Sequence, residues 1–220
     1  MFELQDWVAT DRRRISRRFT EALAIASELH AGQRRKGSGV PYISHLLGVT
    51  AIAFEYGADE SQAIAALLHD AIEDAPPALG AAGVRDVIGG RFGEEVLAIV
   101  EDCTDADTFP KPPWRARKMG YVARVARAVP GALLVSASDK LHNVRSILTD
   151  FLQVGDAVWD RFSPDAGKSG TIGYYRGLIT AFHDRRGEGA GQFGRLVDDL
   201  DATLADLERH AGETGRWPPA

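Results

Sequence analysis

The sequence predicts an all-α fold in a single domain. Apolar residues recur at helical spacing through most of the chain, no segment shows the polar–apolar alternation of a strand, and glycine and proline separate the helical stretches. At 220 residues the chain suits one domain with a substantial core. We therefore expect one domain over residues 1–220, with its core at about 16–185 and a C-terminal amphipathic helix at about 192–211.

The N-terminal half contains clear helix start and stop signals. Apolar periodicity followed by glycine predicts helices at 19–30 and 46–56. Asp59 is placed to cap a third helix, with Gln62 three residues later as in a capping box. Pro76 is expected to end that helix, because proline removes a backbone donor and clashes with the preceding turn.

The C-terminal half is predicted to be helical as well. Pro130-Gly131 separates two of its helices, and Ser163-Pro164 opens a further helix or the loop before it. The tail from Gly212 is expected to be frayed. The helices predicted from periodicity are 83–91, 94–103, 114–128, 133–148 and 192–211.

Composition and charge exclude several classes of protein. The 45% hydrophobic and 26% charged content is ordinary for a globular protein, and the net charge of −5 argues against non-specific binding to nucleic acid or membrane. No apolar run approaches the ~18 residues of a membrane span, and no signal peptide is visible. The single cysteine, Cys103, fits a reducing compartment. We therefore expect a cytoplasmic protein. Separately, we expect Arg12, Arg13 and Arg14 to lie on an exposed helix face, because charge runs are usually solvated.

The most informative segment is a cluster of ionisable residues beside an apolar helical stripe. His69, Asp70, Glu73 and Asp74 follow one another within six residues, and buried ionisable groups need a partner or a metal. Imidazole nitrogen and carboxylate oxygen are ordinary ligands of transition metals. Residues four apart share a helical face, so Glu73 should lie one turn beyond His69 and Asp74 one turn beyond Asp70. This spacing favours metal-assisted hydrolysis, in which one pair holds the ion and the other handles a proton of water.

Two further residues are candidates to complete such a site. His45 opens the second predicted helix, and Asp139 is an acid in an otherwise apolar helical segment. With His69 and Asp70 they would make a site of two histidines and two carboxylates. His142, three residues after Asp139, is expected to be structural or exposed.

The sequence resembles the HD-domain metallophosphohydrolases, and within them the hydrolase domain of RelA/SpoT-type alarmone enzymes and the stand-alone small alarmone hydrolases. Four segments carry the resemblance in the family's order, over roughly residues 19–175: Arg34–Lys36, Pro41–His45, Leu67–Asp74 and Ser138–Asn143. The resemblance implies an all-α HD-type domain that removes the 3′-pyrophosphate of (p)ppGpp-like nucleotides, releasing pyrophosphate, with Mn²⁺ as the cofactor.

The resemblance also implies a role for each residue that matches a family motif. Glu73 and Asp74 would place the water and shuttle its proton. The metal ligands would be His45, His69, Asp70 and Asp139. The residues that would contact the nucleotide are Arg34, Arg35, Lys36, Asn143 and Tyr174.

The chain departs from the family's pattern at two positions. Ser138 replaces an alanine, and Asp107 lies where similar small hydrolases carry a phosphate-facing lysine. We expect Asp107 to lie near the more distant phosphates and weaken their binding, so that different 5′-phosphorylation states are tolerated.

Two other interpretations remain open from the sequence. The same site could cleave another nucleotide, such as ppApp, the 2′-phosphate of NADPH or a nucleoside monophosphate. The protein could instead be a non-catalytic nucleotide-binding regulatory module, although the intact Glu73-Asp74 pair and all four ligands argue against this. A functional pairing with an alarmone synthetase or an alarmone-making toxin is compatible with the enzyme interpretation. The sequence leaves the oligomeric state open.

Overall fold

The computed structural model describes residues 15–218, and within them the fold is all-α, as predicted. No strand occurs in this part of the chain, where an isolated antiparallel bridge joins Arg34 to Pro41. The helices are α1 (Arg17–Leu29), α2 (Ile43–Glu55), α3 (Glu60–Leu68), α4 (Gly80–Phe92), α5 (Glu94–Cys103), α6 (Trp114–Val125), α7 (Pro130–Val154), a 3₁₀ helix (Gly155–Arg161), α8 (Gly167–Asp184) and α9 (Phe193–Ala211).

Most predicted helices are confirmed within a few residues of their bounds. The capping box at the start of α3 is present, with the Asp59 side chain accepting from the Gln62 amide and the Gln62 side chain accepting from the Asp59 amide. Pro130 is the first residue of α7 rather than a break before it, because the first turn of a helix does not use the missing proline N–H. Periodicity did not predict the 3₁₀ helix that follows α7.

The expectation that α3 continues to Pro76 is wrong, since α3 ends at Leu68. The His69 side chain bonds to the carbonyl of Ala66 through Nδ1, at 2.8 Å. The Ala71 amide bonds to the Leu68 carbonyl, only three residues back, which is a tighter turn than an α-helix makes. His69, Asp70, Glu73 and Asp74 therefore lie on consecutive turns after α3 and not on a continuous helix.

The long helix α7 runs through the middle of the core. All of its residues from 131 to 139 are buried, and it packs against α2, α3, α5 and α9. The apolar face of α9, including Leu200 and Leu204, belongs to the same hydrophobic cluster as the helices before it. The fold thus gathers α2, the end of α3 and the middle of α7 at one place, and this arrangement positions the candidate site.

The expectation of a frayed tail from Gly212 is also wrong for residues 213–217. This segment runs back along α8, where Gly173 and Gly177 leave room for the backbone of Arg216 and the ring of Trp217. The Trp217 ring centroid lies 6.0 Å from that of Tyr174. Within residues 15–218 no helix is long and apolar enough to cross a membrane. The predicted exposed face of Arg12–Arg14 lies outside the described residues.

Candidate active site

Four predicted metal ligands converge in the fold. His45 Nε2 lies 3.3 Å from Asp139 Oδ1 and 3.6 Å from Asp70 Oδ2. His69 Nε2 lies 3.0 Å from Asp70 Oδ2 and 3.7 Å from Asp139 Oδ1. The ligand atoms of His45, His69 and Asp70 all lie within 4.8 Å of one another. Three separate segments of the chain therefore bring two imidazoles and two carboxylates to one point.

The donor set fits a divalent metal ion. His69 is 2% exposed, and its Nε2 has no hydrogen-bond partner in the structure. Its Nδ1 donates to the Ala66 carbonyl, so in the neutral ring that a metal requires the lone pair is on Nε2, which faces the two carboxylates. A buried nitrogen that can exchange a proton for a metal ion, beside two carboxylate oxygens, is the chemistry of a transition-metal site.

Electrostatic interactions within the cluster shift the pKa values of His69, Asp70 and Asp139. Burial alone would disfavour every charge here, but Asp70 and Asp139 outweigh it and raise the pKa of His69 well above its usual value. Burial likewise opposes ionisation of Asp70, yet His69 and His45 hold its pKa well below the usual range. For Asp139 the opposing effect of burial is overcome first by Lys140 and then by the histidines, and its pKa is well below normal. Both carboxylates are therefore ionised and ready to hold a cation.

A surrounding layer of hydrogen bonds orients the two carboxylates. The Tyr42 hydroxyl donates to Asp70 Oδ2 at 2.6 Å. Asp139 accepts from Lys140 Nζ on one oxygen and from Asn143 Nδ2 on the other, both at 2.5 Å. Because every one of these donors meets a carboxylate oxygen, the layer both fixes the ligands and favours their charged form.

Glu73 and Asp74 lie at the opening of this cluster. The Glu73 carboxylate accepts from Lys111 Nζ at 2.7 Å, and Asp74 Oδ2 accepts from Gln33 Nε2 at 2.7 Å. The Gln33 side chain is in turn hydrogen-bonded to His30. Both carboxylates line the same cavity as Asp70, so the acidic pair and the metal-ligand cluster face one space.

That cavity has a volume of about 450 Å³, within the range of small-molecule sites. Every residue that the resemblance assigned to the nucleotide lines it: Arg34, Arg35, Lys36, Asn143 and Tyr174. Arg35 Nη2 donates to Asn143 Oδ1 at 2.8 Å, and Asn143 donates to Asp139, so a chain of hydrogen bonds links the basic segment to the cluster. Arg34 also donates to the Gly39 carbonyl at 2.8 Å, which holds the loop that carries it.

Sequence reasoning missed three cationic residues of the cavity wall: Arg117, Lys118 and Arg161. Lys118 lies 4.7 Å above the Tyr174 ring and pairs with Asp105 at 2.6 Å. Burial lowers the pKa of Lys118, against the opposing effect of Asp105. In the sequence these residues look like ordinary solvated charges, because only the fold turns one side of α6 and the end of the 3₁₀ helix toward the cavity.

One expectation about a neighbouring residue is wrong. Asp107 does not line the cavity and accepts instead from Arg85 Nη2 at 2.6 Å, so it gives no reason to expect weaker binding of distant phosphates. His142, predicted to be structural or exposed, is half-buried, and its Nδ1 lies 3.0 Å from Nδ1 of His45. Ser138 is fully buried and donates to the Leu134 carbonyl within α7.

Comparison with known proteins agrees with this geometry. A family model described as "HD domain" matches residues 22–171, which is most of the chain. The chain belongs to the HD domain family. It is 39% identical over 130 residues to the guanosine-3′,5′-bis(diphosphate) 3′-pyrophosphohydrolase MESH1 of Mus musculus, covering 58% of this chain and 68% of that protein. The human protein of the same name gives the same identity and coverage.

Solved structures support the same fold. One, titled for a metazoan ortholog of SpoT that hydrolyzes ppGpp, superposes with a TM-score of 0.67 at 25% identity, covering 90% of this chain and 98% of that chain. A crystal structure from Listeria monocytogenes EGD-e superposes with a TM-score of 0.60 at 24% identity, covering 77% of this chain and 99% of that one. The second likeness concerns the fold alone.

Proposed function

We propose that this protein is a metal-dependent hydrolase that removes the 3′-pyrophosphate of (p)ppGpp-like alarmone nucleotides. The observation that carries the proposal is the convergence of His45, His69, Asp70 and Asp139 beside a cavity that Asp70 lines together with seven lysine and arginine residues. Relatives named for this reaction match the chain over 130 residues. An acidic protein can recruit so anionic a substrate only where a local cluster of positive charge overcomes its overall field.

The four converging residues would hold one divalent ion, which we propose to be Mn²⁺. The buried Nε2 of His69 and the two carboxylates with lowered pKa values support a divalent ion at this point, and Mn²⁺ is the ion that the family resemblance implies. When bound, such an ion polarises phosphoryl oxygens and lowers the pKa of coordinated water. Loss of any one ligand should reduce metal content and activity together.

Glu73 and Asp74 are proposed to manage the proton of the attacking water. Both carboxylates face the cavity beside Asp70, within reach of a water between them and the substrate. The water attacks the phosphorus bonded to the 3′ oxygen, the bond between that phosphorus and oxygen breaks, and pyrophosphate leaves. One carboxylate accepts the proton of the water, and the 3′ oxygen of the nucleoside gains a proton.

The basic residues are proposed to hold the nucleotide. Arg34, Arg35 and Lys36 lie along one side of the cavity, and a guanidinium can bind two phosphate oxygens at once. Asn143 and Tyr174 would contact the nucleoside. Lys111, Arg117 and Lys118 also line the cavity and add positive charge, which suits a ligand with two separate phosphate groups.

The proposal is tested by incubating the Mn²⁺-loaded protein with ppGpp, ppApp, NADPH and a nucleoside monophosphate, and separating the products by chromatography. We expect pyrophosphate and a 5′-diphosphate nucleoside from the alarmones, and no product with the Asp139→Ala variant. Release of phosphate from NADPH or the monophosphate, with no pyrophosphate from either alarmone, would overturn the substrate assignment. Binding without turnover of any compound would favour the regulatory module. With this activity, the protein would act in the cytoplasm and oppose an alarmone synthetase or toxin.

A further inference from the structure

His142 lies directly behind one proposed metal ligand. Its Nδ1 is 3.0 Å from Nδ1 of His45, and the two ring centroids are 4.8 Å apart at an interplanar angle of 60°. The other ring nitrogen of His45, Nε2, faces Asp70 and Asp139. His45 therefore has one nitrogen directed at the metal-ligand cluster and the other at His142.

The fold makes room for this contact on α2. A Cβ atom at position 48 would lie 2.4 Å from both Cδ2 and Nε2 of His142. That distance is far below van der Waals contact, so any larger residue at Gly48 would displace the imidazole. Gly48 lies one turn of α2 beyond His45 without a positive φ, so the close approach of His142 is what requires glycine here.

The two histidine ligands obtain their orientation in different ways. His69 donates its Nδ1–H to a backbone carbonyl, that of Ala66, at 2.8 Å. Among the described residues, 15–218, the partner of His45 Nδ1 is the side chain of His142 and not a backbone carbonyl. A neutral imidazole that presents the Nε2 lone pair to a metal must carry its proton on Nδ1. His142 must then accept that proton in a hydrogen bond through its own Nδ1.

We propose that His142 is a positioning residue that fixes the tautomer and ring orientation of His45 for metal binding. The inference rests on the metal site of the proposed function and concerns how that site is built. His142 acts only as a hydrogen-bond acceptor toward His45, and the missing side chain at Gly48 leaves room for its ring. Groups in such second-layer positions typically change metal affinity ~10–100-fold when they are removed.

The test is a series of variants at position 142, with Mn²⁺ affinity measured by calorimetry on metal-free protein. His142→Leu removes the acceptor, and we expect its dissociation constant to rise ~10–100-fold. His142→Asn places an amide oxygen close to where Nδ1 lies, so it should restore most of that loss. His142→Asp keeps an acceptor and adds negative charge, so it should bind the ion at least as tightly as His142→Asn.

Matched controls separate positioning from packing. His183→Leu removes a histidine of α8 that pairs with Asp201, and should leave the metal affinity unchanged. Gly131→Ala, near the start of α7, adds a methyl group 2.7 Å from Ile99 Cδ1. It is matched to Gly48→Ala, which adds a methyl group 2.4 Å from the His142 ring. Only Gly48→Ala should weaken Mn²⁺ binding. In the Zn²⁺-loaded protein, ¹⁵N spectra should show the proton of His45 on Nδ1 and none on Nδ1 of His142.

Several results would overturn the inference. These are wild-type affinity in His142→Leu, equal weakening in folded His142→Asn and His142→Leu, or the reverse tautomer in the spectra. If His142→Leu does not fold, the comparison of Gly48→Ala with Gly131→Ala decides, and equal affinities refute the role. A wild-type protein that binds no ion would refute the metal site itself. A protein that binds metal and turns over substrate regardless of residue 142 refutes only the role of His142.

Discussion

Replacing Lys140 by methionine should reveal how the cluster balances its charges. Lys140 Nζ lies 2.5 Å from Asp139 Oδ2, and the two side chains are only 12% and 9% exposed. Burial opposes the ammonium charge, but Asp139 outweighs it and raises the pKa of Lys140 well above normal. Methionine keeps the length and apolar stem of the side chain while removing the charge.

The magnitude follows from the burial of the pair. Removing one partner of a buried ion pair leaves the other charge uncompensated and typically costs about 3–5 kcal/mol. With a urea m-value of about 3 kcal/mol/M, expected toward the upper end for a domain of this size, the midpoint should fall by roughly 1–1.7 M. This loss is large beside the ~5–15 kcal/mol total stability of a typical domain.

A bound divalent ion should reduce this cost. In the metal-free protein Lys140 lies against Asp139, and His69, whose pKa the two carboxylates raise, lies against both Asp70 and Asp139. The two charges of the ion can balance both carboxylates without Lys140. The Lys140→Met variant should therefore lose less stability with Mn²⁺ than without it. By linkage it should also bind Mn²⁺ more tightly than the wild type, tenfold for each ~1.4 kcal/mol of difference.

The assay is urea unfolding followed by circular dichroism, with chelator and with saturating Mn²⁺, together with calorimetry for the metal. Arg91→Met is the control, because the Arg91–Glu21 pair is 57% and 43% exposed and such pairs contribute little. A metal-free Lys140→Met protein that is no less stable than Arg91→Met would refute the charge balance. Equal losses with and without Mn²⁺ would refute the compensation by the ion.

The remaining predictions concern catalysis and binding. Glu73→Gln and Asp74→Asn should keep the metal and the fold, because neither side chain lies in the apolar core, and an amide oxygen at 74 can still accept from Gln33. Turnover should fall ~10²–10⁴-fold, and losses below about tenfold in both variants would contradict their acid–base role. Arg35→Gln should raise KM more than it lowers kcat, since it removes binding common to substrate and transition state. Steady-state kinetics with ppGpp checks this, and an unchanged KM would exclude Arg35 from the substrate contacts.

The secondary structure was largely determined by local sequence. Apolar periodicity with glycine and proline predicted α5 at its observed bounds and α9 within one residue. The capping box of α3 was readable because its hydrogen bonds are made by residues three apart. The end of α3 was not, because neither glycine nor proline follows Leu68 and the apolar helical spacing continues through Ala71.

Some residues of the candidate site could likewise be predicted from the sequence, and others could not. His45, His69, Asp70 and Asp139 were predictable, because ionisable groups in apolar segments require partners, and the order of the motifs matched a known family. The positions of Lys118 above Tyr174 and of His142 beside His45 could not be predicted, since each depends on how α6 or α7 is rotated against its neighbours. The periodicity of apolar residues in the sequence predicts which residues are buried. Only packing decides which buried groups meet, because contacts between distant segments are set by the geometry of the whole core.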